Sequence, residues 1–408
     1  MDLQNTITPP SDRLMKYITQ TPSYLPNQRV KLLSSGQSYF KLLIQLIDQA
    51  TQCIHLQVYI YEPDDTGQEV ADALIRAAKR GVKIYVLVDG YGSQGLKRTF
   101  FNQFTDNGIH FRFFQPLFKS KDFYLGRRMH QKVVVVDARH ALVTGINIGD
   151  RYNDKPGQPA WLDFGVHVTG EIAVKLCQLC WTTWRNFKRI KNAPCDPVAS
   201  VMEASDLHTA EVRIRRNDWV RRKHEISDTY KEILQQAKDR VIILSSYFLP
   251  GYAVRQDIKA ARRRGVEVEL IICSRMDVPL VKDAERFMYD WLLKHGVRIH
   301  EYAGNILHGK LAVCDAEWMT IGSFNVNDLS ARASVELNLD IRSGVFTEMV
   351  VAQMEEIMRS KAIFVNETAF ARTNTIWNRF FQWFAFKFLR LLFFMGTFYM
   401  RQEDPRGN

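Results

Sequence analysis

The chain is poor in the features that mark secreted and membrane-spanning proteins. Its six cysteines, Cys53, Cys177, Cys180, Cys195, Cys273 and Cys314, are spread over 408 residues. Scattered mostly through apolar runs, they do not resemble a disulfide framework, and a reducing cytosol fits them better. Cys177 and Cys180 form a lone C-x-x-C with no second pair and no nearby histidine, so they read as buried helix cysteines rather than a metal or redox site. The first twenty residues, MDLQNTITPPSDRLMKYITQ, place acids and prolines where a signal peptide needs an apolar core; neither secretion nor an N-terminal span is expected. Acidic residues are also in deficit, 44 against 55 lysines and arginines, for a net charge of +11. That balance favours an anionic partner, either a nucleic acid or an acidic lipid surface.

What is present is a repeat. CIHLQVYIYEPDD, EVADALIRAAKRGVKIYVLVDG, NGIHFRFF and MHQKVVVVDARHALVTGINIGD are followed, in the same order, by VIILSSYFLP, RQDIKAARRRGVEVELIICS, HGVRIHEYA and LHGKLAVCDAEWMTIGSFNVND. Short β-branched runs alternate with helical segments that stop at Gly81 and Gly265, which predicts strand, helix, strand, helix, strand and then a strand hairpin in each copy. Strands joined by crossover helices imply parallel pairing, so the fold class is α/β, with two duplicated domains packed together. The expected divisions are an N-terminal extension over 1–27, a first domain over 28–195, a polar, proline-containing linker over 196–215, a second domain over 216–365, and a C-terminal helix and tail over 366–408.

Each copy carries the same constellation, H-x-K-x-x-x-x-D: His130, Lys132 and Asp137 in the first, His308, Lys310 and Asp315 in the second. Residues two apart in a strand project to one side, so each His and Lys can meet the same phosphate. Asn147 and Asn325 follow at equal distances from their histidines, with Gly145 and Gly322 permitting close backbone approach. Two such halves make one site suited to transfer at a phosphodiester. One neutral imidazole attacks phosphorus, the other, protonated, serves the leaving alkoxide, and the lysines offset charge on the nonbridging oxygens. No metal or cofactor is called for. Asp137 and Asp315 complete the motifs and read as supports rather than direct participants. The remaining histidines, such as His55, His140 and His167, lack such company and read as structural.

The paired motifs resemble the two HKD signatures of the phospholipase D superfamily, over roughly residues 28 to 360. The resemblance implies that both motifs meet at the interface between the halves in one active site. Gly322, Ser323, Asn325 and Glu336 match the family's extended pattern, whereas Asn327, Leu329 and Ser334 depart from it, and Thr144 and Gly145 replace the usual Gly-Ser pair. Asp163 looks like the first copy's counterpart of Glu336. By the family's logic each acid sits beside a catalytic histidine, Glu336 near His130 and Asp163 near His308, with His130 as nucleophile and His308 as acid and then base. Within the superfamily the YIYEPDDTG stretch and the SQG segment near Ser93 look most similar to short-form bacterial cardiolipin synthases. That likeness implies phosphatidyl transfer between two phosphatidylglycerol molecules through a phosphohistidine. Phosphatidylethanolamine as donor, simple hydrolysis and, further off, nuclease action are the alternatives.

The segment IWNRFFQWFAFKFLRLLFFMGTFYM points to lipid rather than nucleic acid. On a helical wheel Arg379, Gln382, Lys387 and Arg390 fall on one side, and aromatic and aliphatic residues fill the rest. A span would strand Lys387 and Arg390 at mid-membrane depth, costing about 2.5 to 3.5 kcal/mol each. An interfacial helix at an anionic phospholipid membrane is expected, with Trp377, Arg379, Phe380, Trp383, Lys387 and Arg390 in contact and the protein peripheral or monotopic on the cytoplasmic face. Docking in the core or self-association through this helix is the other reading. The basic run RIRRNDWVRRKHE, Arg213 to Glu225, is expected either to add attraction for lipid or to form a solvated helix face.

Overall fold

The computed structural model describes residues 23–115, 127–187, 193–197, 206–276, 278–327 and 334–401, with side chains to 391. The first half contributes β1 (Leu25–Leu33), β2 (Cys53–Val58), β3 (Lys83–Asp89), β4 (His110–Phe114), β5 (Arg128–Met129), β6 (Val133–Val136), β7 (His140–Thr144) and β8 (Gly165–Thr169). From the second half come β9 (His208–Asp218), β10 (Lys223–His224), β11 (Arg240–Ser245), β12 (Glu267–Cys273), β13 (Arg298–Tyr302), β14 (Lys310–Cys314), β15 (Trp318–Gly322), β16 (Ser334–Arg342) and β17 (Ala362–Phe364).

Pairing follows one order in both copies. β4, β3 and β2 are parallel, after which β6, β7 and β8 continue antiparallel. β13, β12, β11, β14, β15 and β16 repeat that arrangement. β1 and β9 join the halves, pairing with β8 and β16 respectively and with each other. The helices Asp65–Lys79 and Tyr252–Arg263 are the crossovers, and Gly81 and Gly265, at φ +91° and +92°, turn each chain into the next strand.

Valine runs such as Val133–Val136 are buried at every position because both faces of the sheet are covered. One face of each sheet meets its own helices. The other faces meet each other in a shared core where Val133, Val135 and Val143 join Leu311, Val313 and Ile321. That core fixes the two halves against one another, which a site built from both requires.

Three expectations need correction. β9 begins inside the segment read as a linker. The basic run is a strand rather than a helix face, and Arg213 and Arg215 are buried, paired with Asp340 and Glu232, so these two guanidinium groups are spent inside the protein. Cys177 is not an unpaired helix cysteine: the helix Glu171–Trp184 lies against the segment 193–197, and Cys177 bridges to Cys195 with Cα atoms 5.9 Å apart. Cys180 stays free and buried.

The C-terminal helix, Ile376–Arg401, packs on the helix Pro279–Lys294 through Ala385 and Leu389, while Gln382 turns inward to exchange hydrogen bonds with Asn374. Gln382 therefore belongs to the docked face, not to the free polar side that the wheel suggests. Trp377, Phe380, Phe381, Phe384 and Leu391 are all at least half exposed on the far side. Among the described residues no helix is long and apolar enough to cross a membrane.

Candidate active site

Each motif begins in an extended segment that enters a buried strand and ends in a tight turn. Asp137 and Ala138 both have positive φ, +52° and +49°, as do Asp315 and Ala316, +49° and +55°. The Arg139 amide donates to Val136 across the first turn, a mirror-type hairpin that a short polar Asp tolerates at its first central position. Asp137 accepts from the amides of Thr51, Gln52 and Cys53, and Asp315 from those of Lys238, Asp239 and Arg240. Both carboxylates are occupied in holding the chain that leads into β2 and β11.

The histidines are held across the interface. The amides of His130 and Gln131 donate to the Val335 carbonyl, and those of His308 and Gly309 to the Leu162 carbonyl. Val335 and Leu162 immediately precede Glu336 and Asp163. Each histidine strand thus clasps the segment that carries the other half's acid. His130 Nδ1 lies 3.0 Å from both Glu336 oxygens, and His308 Nδ1 lies 2.6 Å from Asp163 Oδ2. A carboxylate at Nδ1 takes that nitrogen's proton as a hydrogen bond and leaves Nε2 as the reactive atom.

Ser323 is engaged with the acid: its hydroxyl donates to Glu336 at 2.5 Å and accepts from the Leu337 amide. The first half has Gly145 at that place because Asp163 fills it; a Cβ there would lie 2.3 Å from Asp163 Oδ1. One position earlier the exchange is reversed. Thr144 pairs with Gly165, while Gly322 pairs with Asn338. The departures from the usual Gly-Ser pair are a matched set of large and small side chains.

Lys132 Nζ donates to the His130 carbonyl at 2.7 Å, and Lys310 makes the same bond to His308. Both lysines are buried. Burial, reinforced by Lys310, pushes Lys132 down to about 7. Burial likewise pushes His308 down to about 4, with Lys310 adding to the effect, and holds His130 below the imidazole range against the pull of Glu336. Burial alone would raise Asp163, but Lys310 and His308 outweigh it and keep the carboxyl low. The ligand-free site therefore holds two neutral imidazoles, each with a carboxylate at Nδ1 and a buried lysine close by.

Asn147 accepts from the Ile60 amide and donates to Tyr152 Oη, which leaves one amide hydrogen uncommitted among the described residues. Asn325 Oδ1 is buried without a partner among the described residues. Three aromatic residues complete the walls without having been singled out by sequence. Tyr59 stands edge-on to His130 at 4.9 Å, and Tyr152 and Trp161 flank His308 at 5.4 and 5.8 Å. Tyr59 lies in the YIYEPDDTG stretch and Trp161 two residues before Asp163, but only the fold brings them to the histidines.

Fold and site together define the two-histidine architecture of the phospholipase D class, in which the halves of a duplicated chain share one centre. The family described as cardiolipin synthase, phospholipase D-like domain, matches residues 43–158 and 230–360. Cardiolipin synthase B of Escherichia coli (strain K12) is 33% identical over 379 residues, 90% of this chain and 89% of the relative. Cardiolipin synthase 1 of Bacillus anthracis is 30% identical, over 79% of this chain and 64% of its own. Among solved structures, a phosphatidylserine synthase from Haemophilus influenzae Rd KW20 has a TM-score of 0.69 at 15% identity, covering 93% of this chain and 97% of its own. The chain belongs to the cardiolipin synthase, phospholipase D-like family.

Proposed function

We propose that the protein is a phosphatidyltransferase that makes cardiolipin from two phosphatidylglycerol molecules. The observation that carries the reading is the crossed pair of His–carboxylate contacts, His130 with Glu336 and His308 with Asp163, beside two buried lysines. Similarity to proteins named cardiolipin synthase supports the choice of lipid.

In this reading the anionic diester of the first lipid binds beside the two lysines. Its arrival offsets Lys132 and Lys310, two of the groups that hold the imidazoles low, so His308 takes up a proton as substrate binds. Neutral His130 Nε2 attacks phosphorus, the bond from phosphorus to the glycerol oxygen breaks, and His308 gives its proton to that oxygen. Glu336 stabilises the positive charge left on the phosphorylated imidazole. Glycerol then leaves. His308, now neutral, takes the proton from a hydroxyl of the second phosphatidylglycerol, whose oxygen attacks the phosphohistidine and restores His130. Lys132, Lys310 and the free amide hydrogen of Asn147 receive the charge on the nonbridging oxygens.

The C-terminal helix serves as an interfacial anchor on the cytoplasmic face of the membrane. Its exposed Trp377, Phe380 and Trp383 enter the acyl boundary, with Arg379 and Lys387 beside the lipid phosphates. Asp163, Glu336 and Ser323 act by positioning the histidines, and Asp137 and Asp315 by holding the scaffold.

The test is product analysis by mass spectrometry with purified protein on mixed phosphatidylglycerol and phosphatidylethanolamine vesicles. Cardiolipin and free glycerol are expected from the intact protein, and neither from His130→Ala. Phosphatidic acid as the sole product would make the protein a hydrolase instead, and ethanolamine release would change the donor.

A further inference from the structure

Where the C-terminal helix meets the body of the protein there is a second cleft, apart from the histidines. Leu249, Pro250, Gly251, Tyr252, Arg255 and Ala284 line one side, and Phe386, Leu389 and Arg390 the other, around a cavity of about 60 Å³. The floor and walls are mostly apolar, and no acidic residue contributes to the lining.

Two guanidinium groups nevertheless share it. Arg255 lies over the rings of Tyr252 and Trp291, at 6.0 and 5.9 Å, and Arg390 over Phe386 at 5.7 Å. Arg255 Nε is buried without a hydrogen-bond partner among the described residues. Arg213 and Arg215 are matched to Asp340, whereas Arg216 Nε, like Arg255 Nε, is buried without a partner among the described residues. A buried donor left unmade costs about 1–3 kcal/mol. Two forked cations around an acid-free apolar cleft fit a phosphate with acyl chains beside it.

Position narrows the occupant. Phe386, Leu389 and Arg390 belong to the helix whose opposite face carries the exposed Trp377, Phe380 and Phe384. Leu249 donates its amide to Val326, the residue after Asn325, so the cleft adjoins the loop that carries the site's second asparagine. We propose that the cleft holds the phosphodiester of an anionic membrane phospholipid, separately from the catalytic centre, with Arg255 and Arg390 gripping the phosphate. Such a lipid fastens the helix to the body and registers the catalytic opening against the bilayer. The inference rests on the proposed action at a lipid surface but not on the identity of the product.

Flotation of the full-length protein with phosphatidylcholine vesicles, with and without phosphatidylglycerol, tests it. Arg255→Gln/Arg390→Gln should weaken binding to the anionic vesicles roughly tenfold and leave binding to phosphatidylcholine alone unchanged. Lys259→Gln/Arg263→Gln removes two positive charges from the same helix as Arg255 and should cost no more than about twofold. Equal losses from the two pairs would reduce the effect to general surface charge and overturn the site, as would an undiminished Arg255→Gln/Arg390→Gln variant. Competition by inorganic phosphate at the wild-type cleft would overturn the lipid as its occupant. If the glutamine pair fails to melt cooperatively, Arg255→Lys/Arg390→Lys decides. It keeps the charges and loses the forked donors, so a loss above about threefold supports the site and a smaller one overturns it. Cardiolipin formation, measured on the same preparations, fails or survives independently of these bindings.

Discussion

At the scale of single residues, the two His–carboxylate pairs separate positioning from reaction. Glu336→Gln keeps the shape but offers an amide to Nδ1, so the imidazole loses its fixed tautomer and its charge stabiliser; turnover should fall about 10²- to 10⁴-fold with little change in KM. Loss of KM alone, in a steady-state assay on mixed vesicles, would contradict that role. Lys132 makes a second, independent prediction. In the empty site it is charged below about pH 7 and neutral above, so kcat/KM for an anionic lipid should decline as pH rises through 7, while kcat at saturation holds up. Lys132→Arg should remove that alkaline limb, because a guanidinium stays charged. Parallel pH profiles of the two constants check it.

The motif histidines and lysines were legible because they recur in register within a repeat. The walls formed by Tyr59, Tyr152 and Trp161 were not, since a ring beside a histidine in space leaves no spacing in one dimension. Ser323 was legible as part of the family's pattern, but its 2.5 Å hydrogen bond to Glu336 was not, since it depends on how β15 and β16 pair.

Among elements, the hairpin turns that close each motif tie the catalytic strand to the start of β2 in the first half and of β11 in the second. Asp137→Ala removes the acceptor of three amide hydrogen bonds, as does Asp315→Ala. Each should cost about 2–4 kcal/mol of stability, and thermal melts of the two variants should move down together. A variant with wild-type melting but no activity would instead put that aspartate in the reaction. Strand and helix order was readable from alternating β-branched runs and helical segments. Pairing across the halves was not: the arginines of β9 read as a lipid-attracting or solvated basic run because their carboxylates, Asp340 and Glu232, lie more than a hundred residues away or on the next helix. The Cys177–Cys195 bridge was hidden for a similar reason, since spacing says nothing of which segment a helix face meets.

For the molecule as a whole, burying so many imidazoles has a consequence for stability. Burial pushes His55 and His167 down to about 3, and His140 and His308 to about 4. Each is neutral in the folded chain and takes a proton when unfolded below about 6.5. The unfolded state then binds more protons, so the stability present above that pH is lost as pH falls toward 4, by about 1.4 kcal/mol per pH unit for each histidine. Urea midpoints should drop steeply between pH 7 and pH 5; a flat profile would mean that these rings are open to water.

The clasp between each histidine strand and the other half's acid also sets a timetable. Chains emerge from the ribosome N-terminus first, and domains tend to fold as they emerge, yet Glu336 lies on β16, near the end of the second half. A growing chain that has already folded its first half therefore carries His130 without its partner and has no working centre. The helix proposed as the membrane anchor is made next, so in that reading the enzyme becomes competent only as it acquires the means to reach its substrate.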